Sequence, residues 1–433
     1  MAMEALAIVL LVLFVLLIIG VPISYSIGIS SLAAILLVVP LDVSVLTAAQ
    51  RTFVGMSKFS LTAIPFFILA GNLMNQGGIA KRLVEFVLAV LGKLPGSLLV
   101  TNVGANALFG AISGSASAAA AAVGSMVREG EEEQGYDPAI CAATNAASAP
   151  SGLLIPPSNA LITYSLVSGG TSVAALFLAG YIPGIIWALC CIIVAVLIAR
   201  KKGYRGRPGK FEWKFLGVAT IRALPSLSLI VVVIGGIVAG IFTATEGSAI
   251  AVVYALILGI CYRNITIQSF WRIVVDSAKM SGMIVFLIGV SNILGWVMAF
   301  TQIPQAISSV LLGITKSPIL ILLIMNVILL IAGTFMDVTP AILIFTPLFL
   351  PIVQTFGMNP IQFGLILVYN LCIGNITPPV GNTLFVAIKV GKTTLAKVMP
   401  HMLLYYVAIL VGLLLVTYVP FVSLGLPQLA GLI

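Results

Sequence analysis

Residues 374–385 read GNITPPVGNTLF and residues 151–162 read SGLLIPPSNALI, and both lie where the surrounding chain is almost wholly apolar. Adjacent prolines remove backbone donors and break the helical ladder, and in lipid an unsatisfied backbone group costs several kcal/mol. Neither stretch suits an uninterrupted membrane helix. They share a frame: glycine, three residues, Pro-Pro, and asparagine close behind. Gly152, Pro156, Pro157 and Asn159 stand against Gly374, Pro378, Pro379 and Asn382, an offset of 378 minus 156, or 222.

The offset recurs along the chain. Asn72 pairs with Asn292 (292 minus 72 is 220), Gly28 with Gly247 (219) and Gly110 with Gly333 (223). A near-constant shift implies two structural repeats. We place the first at 1–200 and the second at 218–433, with a basic linker at 201–217 between them. In the first we expect a bracing arm near 41–58, a re-entrant hairpin near 108–127 and a broken helix near 138–167. In the second the corresponding segments fall near 263–280, 329–349 and 361–388.

Of the 433 residues 61% are hydrophobic and 8% charged, which indicates an all-α polytopic membrane protein. The first apolar run, from Ala5, lacks a basic start and a small-residue cleavage site and reads as a retained span. Cys141, Cys190, Cys191, Cys261 and Cys372 have no metal-ligand spacing and read as inert packing residues. The formal charge of +9 raises nucleic acid as a partner, but the basic residues sit between apolar spans rather than on an amphipathic face, so topology explains them and nucleic acid is excluded. With the N-terminus outside, all 21 Lys and Arg except Arg51, Lys58 and Lys316 fall on the cytoplasmic side. An odd number of crossings per half then inverts the second repeat, and inverted repeats with discontinuous helices are a transporter signature.

Each half carries a hairpin with small polar residues at its tip, LFGAISGSASAAAAAVGSMV (108–127) and LLIAGTFMDVTPAILIFTPLF (329–349). Arms of about ten residues at about 1.5 Å each reach roughly halfway across the hydrocarbon. Two tips and two breaks then converge at the midplane, where freed carbonyls and hydroxyls suit a hard cation and helix-start amides suit an anion. The alanines at 118–122 read as close packing. Of the acidic residues only Glu246 and Asp337 lie within apolar segments. An intramembrane carboxylate marks function by default; Glu246, in GIFTATEGSA, equally fits a helix-start partner, while Asp337 sits at a hairpin tip. His401 reads as interfacial.

Together IPFFILAGNLM (64–74), GAISGSASA (110–118), GYDPA (135–139), LLIPPSN (153–159), TATEGSA (243–249), MDVTPA (336–341) and NITPPVG (375–381) resemble the large membrane subunit of tripartite ATP-independent periplasmic (TRAP) transporters, the DctM-like permease, over nearly the whole chain. The run REGEEEQ before GYDPA departs from that pattern in its acidity, and Gly247 stands where alanine is expected. The resemblance implies an elevator-type transporter in the bacterial inner membrane, driven by sodium and carrying an organic acid such as sialic acid, a dicarboxylate or a sugar acid. It also implies a small four-helix membrane subunit (DctQ-like) and a periplasmic substrate-binding protein.

By that resemblance one sodium site involves Ser113, Ser115, Ser148 and Gly152. The other involves Thr334, Asp337, Thr339, Gly374 and Thr377. Substrate touches Ser115, Ser117, Asn159, Thr339 and Asn382. Asp337 repels a carboxylate unless sodium or a proton neutralises it, which is a physical reason for coupling. VAIKVGKTT (386–394) ends like a phosphate-binding loop but has Val386 where that motif needs glycine, so neither ATP use nor an enzyme is expected. A stand-alone sodium/dicarboxylate carrier and a channel are the alternatives.

Overall fold

The computed structural model describes residues 2–206 and 213–433, and every regular element among them is a helix. Arg207 and Lys210, at the centre of the expected linker, lie outside the described residues. The chain runs α1 (Ala2–Ile18), α2 (Ile23–Ile35), α3 (Leu41–Met56), a 3-10 turn (Phe59–Thr62), α4 (Ala63–Gln76), α5 (Ile79–Leu91), α6 (Ser97–Ser113), α7 (Ala116–Glu133), α8 (Pro138–Ser148), α9 (Ser151–Leu154), α10 (Asn159–Val167) and α11 (Val173–Lys202). Beyond the linker follow α12 (Trp213–Val238), α13 (Ala244–Cys261), α14 (Ile267–Phe300), α15 (Ile303–Ile314), α16 (Pro318–Phe335), α17 (Val338–Gln354), α18 (Pro360–Gly374), α19 (Asn382–Val390), α20 (Leu395–Tyr418) and α21 (Pro420–Leu429).

Six of these helices are long and apolar enough to cross a bilayer, and the bent pair formed by α3 and α4 makes up to seven. Their outer faces carry large apolar side chains: Phe53 is 70%, Val231 70% and Val407 64% exposed. In water such a surface is a liability; in lipid it is the solvated face. The chain is a multi-pass membrane protein.

Local chemistry sets the helix ends. α8 and α18 begin alike: Asp137 accepts the Ala139 N–H at 2.9 Å and Asn359 accepts the Ile361 N–H at 2.8 Å, each followed by proline in the first turn, where its missing N–H is harmless. The 30-residue α11 stops at Gly203, whose φ of 76° closes a left-handed cap, and Arg200, Lys201 and Lys202 complement the negative end of its dipole.

Two groups of helices result. α14 packs on α2, α3 and α4, α13 on α4 and α12, and α12 on α5. In the other group α6 packs on α7, α8, α9 and α11, α16 on α18, α17 on α10 and α18, and α20 on α8, α11 and α18. The groups meet where α5 touches α6 and α7, α4 touches α6 and α10, α12 touches α11, and α14 and α15 touch α17.

Two expected bounds differ. The hairpin arms are 17 and 18 residues in the first half and 18 and 17 in the second, well beyond ten, because nothing in Val100–Ala107 or Ile319–Leu330 interrupts the helix. The segment 263–280 is not a separate arm; it is the start of the 34-residue α14. In the first half Ser57 and Lys58 end α3, and the chain bends by 58° before α4. The second half offers only Ser281-Gly282, which a helix absorbs at modest cost.

Candidate functional site

The two hairpin tips are tight turns built on different devices. Gly114, with a φ of 62°, ends α6, and Ser115 starts α7 by accepting the Ala118 N–H at 3.3 Å; Ser115 Oγ also lies 3.2 Å from Ser117 Oγ. A side chain at Gly114 would meet Asn159 Nδ2 at 2.6 Å, so the first tip rests on the start of α10. At the second tip Asp337 starts α17 by accepting the Val338 N–H at 2.8 Å.

Each tip is pressed onto the break of its own half through a pair of glycines. A Cβ on Gly152 would stand 2.2 Å from Gly110 Cα, and one on Gly374 would stand 2.3 Å from the Gly333 carbonyl carbon. Only hydrogen fits in either place. The Val380 N–H also donates to the Thr334 carbonyl at 3.2 Å, tying the second break to its hairpin. Pro156-Pro157 and Pro378-Pro379 both carry cis bonds, and the regular helix is interrupted at these points.

Between the tips lies a cavity of about 450 Å³, a size suited to a small organic molecule. Ser113, Ser115, Ser117, Asn159, Asp337 and Thr339 line it, so six of the residues anticipated from sequence converge there. Ser148, Gly152, Thr334, Gly374, Thr377 and Asn382 do not. Ser148 is buried behind the first hairpin, accepting from Asn106 Nδ2 at 2.9 Å in a network with Asn102 and Asn145. Gly152 and Gly374 supply close backbone contacts. Thr377 Oγ1 returns to the Ile373 carbonyl at 2.7 Å, Thr334 Oγ1 to that of Ile331 at 2.8 Å, and Asn382 is exposed at the start of α19.

Sequence reasoning missed one wall. Asn72 and Asn75 on α4, Met280 and Ile284 on α14, and Asn375 at the second break also line the cavity. Asn72 and Asn75 sit three apart on one face of an apolar helix, a pattern that flags a polar stripe. Asn72 Nδ2 donates to Ser277 Oγ at 2.8 Å, which joins α4 to α14.

The cavity's electrostatics are simple. Among the described residues Asp337 is its only charged side chain, and no lysine or arginine lines it. The remaining polar groups are amides, hydroxyls and helix-start N–H groups. Near the second break Thr383 Oγ1 is buried without a hydrogen-bond partner, and its N–H donates to the Asn375 carbonyl at 3.2 Å. An unpaired buried oxygen costs about 1–3 kcal/mol. Hydroxyl, carboxylate and carbonyl oxygens are the donors a hard monovalent ion takes.

Glu246, the other acidic residue in an apolar segment, is not in the cavity. Its carboxylate accepts the Thr243 N–H at 2.7 Å while Thr243 Oγ1 accepts the Glu246 N–H at 3.3 Å, a reciprocal cap at the start of α13. Glu246→Gln, which retains an acceptor, is therefore expected to leave any ion dependence of uptake unchanged; an altered ion dependence in a proteoliposome assay would contradict the capping role.

The chain matches the family described as "Tripartite ATP-independent periplasmic transporter, DctM component" over residues 10–422. It is 50% identical to an uncharacterized protein, YgiK, of Salmonella typhimurium, covering 96% of this chain and 95% of that one. It is 39% identical to the C4-dicarboxylate TRAP transporter large permease protein DctM of Pseudomonas aeruginosa (94% and 95% covered). It is also 39% identical to the isethionate TRAP transporter permease protein DctMQ of Oleidesulfovibrio alaskensis (93% and 63% covered). Among solved structures, the YdaH transporter of Alcanivorax borkumensis, described as having an unusual topology, superposes with a TM-score of 0.57 at 14% identity over 84% of this chain and 87% of that one, a likeness of fold alone. The cavity between paired hairpins thus sits in a multi-pass bacterial inner-membrane protein that belongs to the DctM family of TRAP transporter large permeases, which are transport proteins and not enzymes.

Proposed function

We propose that this permease carries an organic anion, a carboxylate or sulfonate, into the cell by sodium symport, with a soluble binding protein presenting the solute and a small membrane subunit completing the complex. One observation carries the reading: a cavity between two hairpin tips where, among the described residues, the Asp337 carboxylate is the only charged side chain and no basic residue lines the wall. An anion entering alone meets repulsion. With a cation on the tip oxygens the local charge is balanced, and the amides of Asn75 and Asn159 and the starts of α7 and α10 supply neutral donors. Relatives named for C4-dicarboxylates and isethionate support an anionic solute, and the fused name DctMQ supports a Q-type partner.

The two groups of helices suit an elevator. α6–α11 and α16–α21 would move together, carrying the tips past a frame of α1–α5 and α12–α15, and the two halves would be inverted repeats. The cavity wall on the frame comes from the end of α4 and the middle of α14, near Lys81, Arg82 and Lys279. In the orientation set by the basic residues this is the cytoplasmic side, so the arrangement is inward-facing.

The test is uptake into proteoliposomes holding this chain with its small subunit, omitting in turn the sodium gradient and the binding protein encoded beside it. Uptake that needs both is expected. Uptake without the binding protein would favour a stand-alone carrier, and gradient-independent, non-saturating flux would overturn the symport reading.

A further inference from the structure

The acidic run REGEEEQ holds a carboxyl group that the transport cavity does not use. Glu131, four residues beyond the expected membrane portion of the first hairpin, is 5% exposed, and its Oε1 has no hydrogen-bond partner. The neighbouring Tyr136 hydroxyl is likewise buried and unpaired. Arg128, one turn away, is engaged elsewhere: it pairs with Glu132 and donates to the Val390 carbonyl at 3.0 Å. Facing Glu131 from the start of α8 are the Cys141 thiol and, beyond it, Asp137; α6 contributes only Ser97 and the Leu98 backbone beside Tyr136.

This pocket underlies the start of the inter-repeat linker. Tyr204, just past α11, stacks on Tyr136 with ring centroids 4.1 Å apart. Its hydroxyl accepts the Asp137 N–H at 2.9 Å, and its carbonyl accepts the Gly96 N–H at 3.1 Å. Gly206 lies so close to Lys93 that a Cβ would meet its carbonyl oxygen at 2.4 Å. Tyr204 is therefore fastened to both ends of the first hairpin, and Gly206 packs on the turn before it.

We propose that Glu131 is a cytoplasmic proton site whose protonation holds the linker clamped on the hairpin, and that ionisation releases it. The consequence for transport rests on the elevator reading above. The linker joins α11, in the moving group, to α12, in the frame, and four released residues at about 3.5 Å each add roughly 14 Å of reach. A clamped linker restrains travel; a freed one permits it.

The direction with pH follows from burial. Burial raises Glu131 from the ordinary carboxylate value to about 7, against the partial relief given by Cys141 and Arg128. In the released state the carboxyl is hydrated and titrates normally, so the clamped form is favoured at acid pH, weakens as pH rises towards about 7 and is constant above it.

The experiment uses the full chain with its small subunit. In proteoliposomes at fixed external pH and sodium gradient, uptake at internal pH 6 is expected to be roughly three- to tenfold slower than at pH 8. Glu131→Gln should be slow at both values and Tyr204→Ala fast at both. Hydrogen exchange at the Gly96 and Asp137 amides reads the clamp without transport: protection at pH 6 and its loss at pH 8 in the wild type, with protection at both in Glu131→Gln. A wild-type pH profile retained by Glu131→Gln, or amide protection indifferent to pH, would overturn the proposal. If the wild type shows no sodium-driven uptake, the transport reading fails and the exchange data still decide the clamp.

Discussion

Gly374→Ala is expected to abolish uptake while leaving the protein inserted and folded. The added methyl would sit 2.3 Å from the Gly333 carbonyl carbon, and backbone cannot step aside as a flexible side chain can. Overpacking of this kind costs about 1–3 kcal/mol, and a fixed backbone puts the cost at the upper end. The second hairpin is then pushed away from its break, and at about 1.4 kcal/mol per tenfold the ratio of assembled to separated site falls roughly a hundredfold. Gly152→Ala should behave alike, its methyl standing 2.2 Å from Gly110. Gly313, which has open space around it, is the control and should tolerate alanine. Initial uptake rates in proteoliposomes, normalised to inserted protein, check the set; near-wild-type rates for Gly374→Ala would mean that the glycine contact does not shape the site.

Asp337→Asn is expected to weaken the response to sodium while leaving the fold intact. Asparagine caps helix starts about as well as aspartate, so α17 should still begin at Val338. The substitution removes the one negative charge that faces the cavity. If that charge attracts the coupling ion, half-maximal uptake should require about tenfold more sodium or more, since ion-assisted bonds contribute about 1.5–3 kcal/mol each. Asp337→Ala should in addition lower stability by about 1 kcal/mol through loss of the cap. A sodium titration of uptake, run beside thermal unfolding, separates the two effects. Unchanged sodium dependence in Asp337→Asn would remove this residue from the ion site.

Much of the arrangement was readable because it rests on residues with few alternative uses. Pro-Pro within an apolar run, at matching places in both halves, admits little except a break, and the breaks fall at Ile155–Ser158 and Asn375–Gly381. Polar tips and Asp337 were legible for the same reason, since small polar groups and a carboxylate have no role in lipid, while Ser115, Ser117 and Thr339 were singled out by the family resemblance. What escaped was set by tertiary packing. Ser148 was placed beside the first break through the family resemblance, but Asn106, on α6, draws it into a buried network. Asn75 faces the cavity only because α4 lies across the hairpins, which no local pattern specifies. Glu131 was one charge in an acidic run, and its burial is set by tertiary packing that no local pattern shows. The continuity of α14 follows from the absence of a strong breaker, and absences are poor signals beside a repeat that suggests an arm.

The central claim is that the cavity between the tips moves relative to α4. Cysteines placed at Asn75 and Ser117, which face the same cavity from the two groups of helices, test it most directly, with Cys190 and the exposed Cys261 replaced by serine. Bridging the pair with a reducible bifunctional thiol reagent should stop sodium-driven uptake, and reduction should restore it, beyond whatever loss the reagent causes in either single-cysteine variant, since both positions line the cavity. Full uptake with the two groups bridged would contradict a moving cavity.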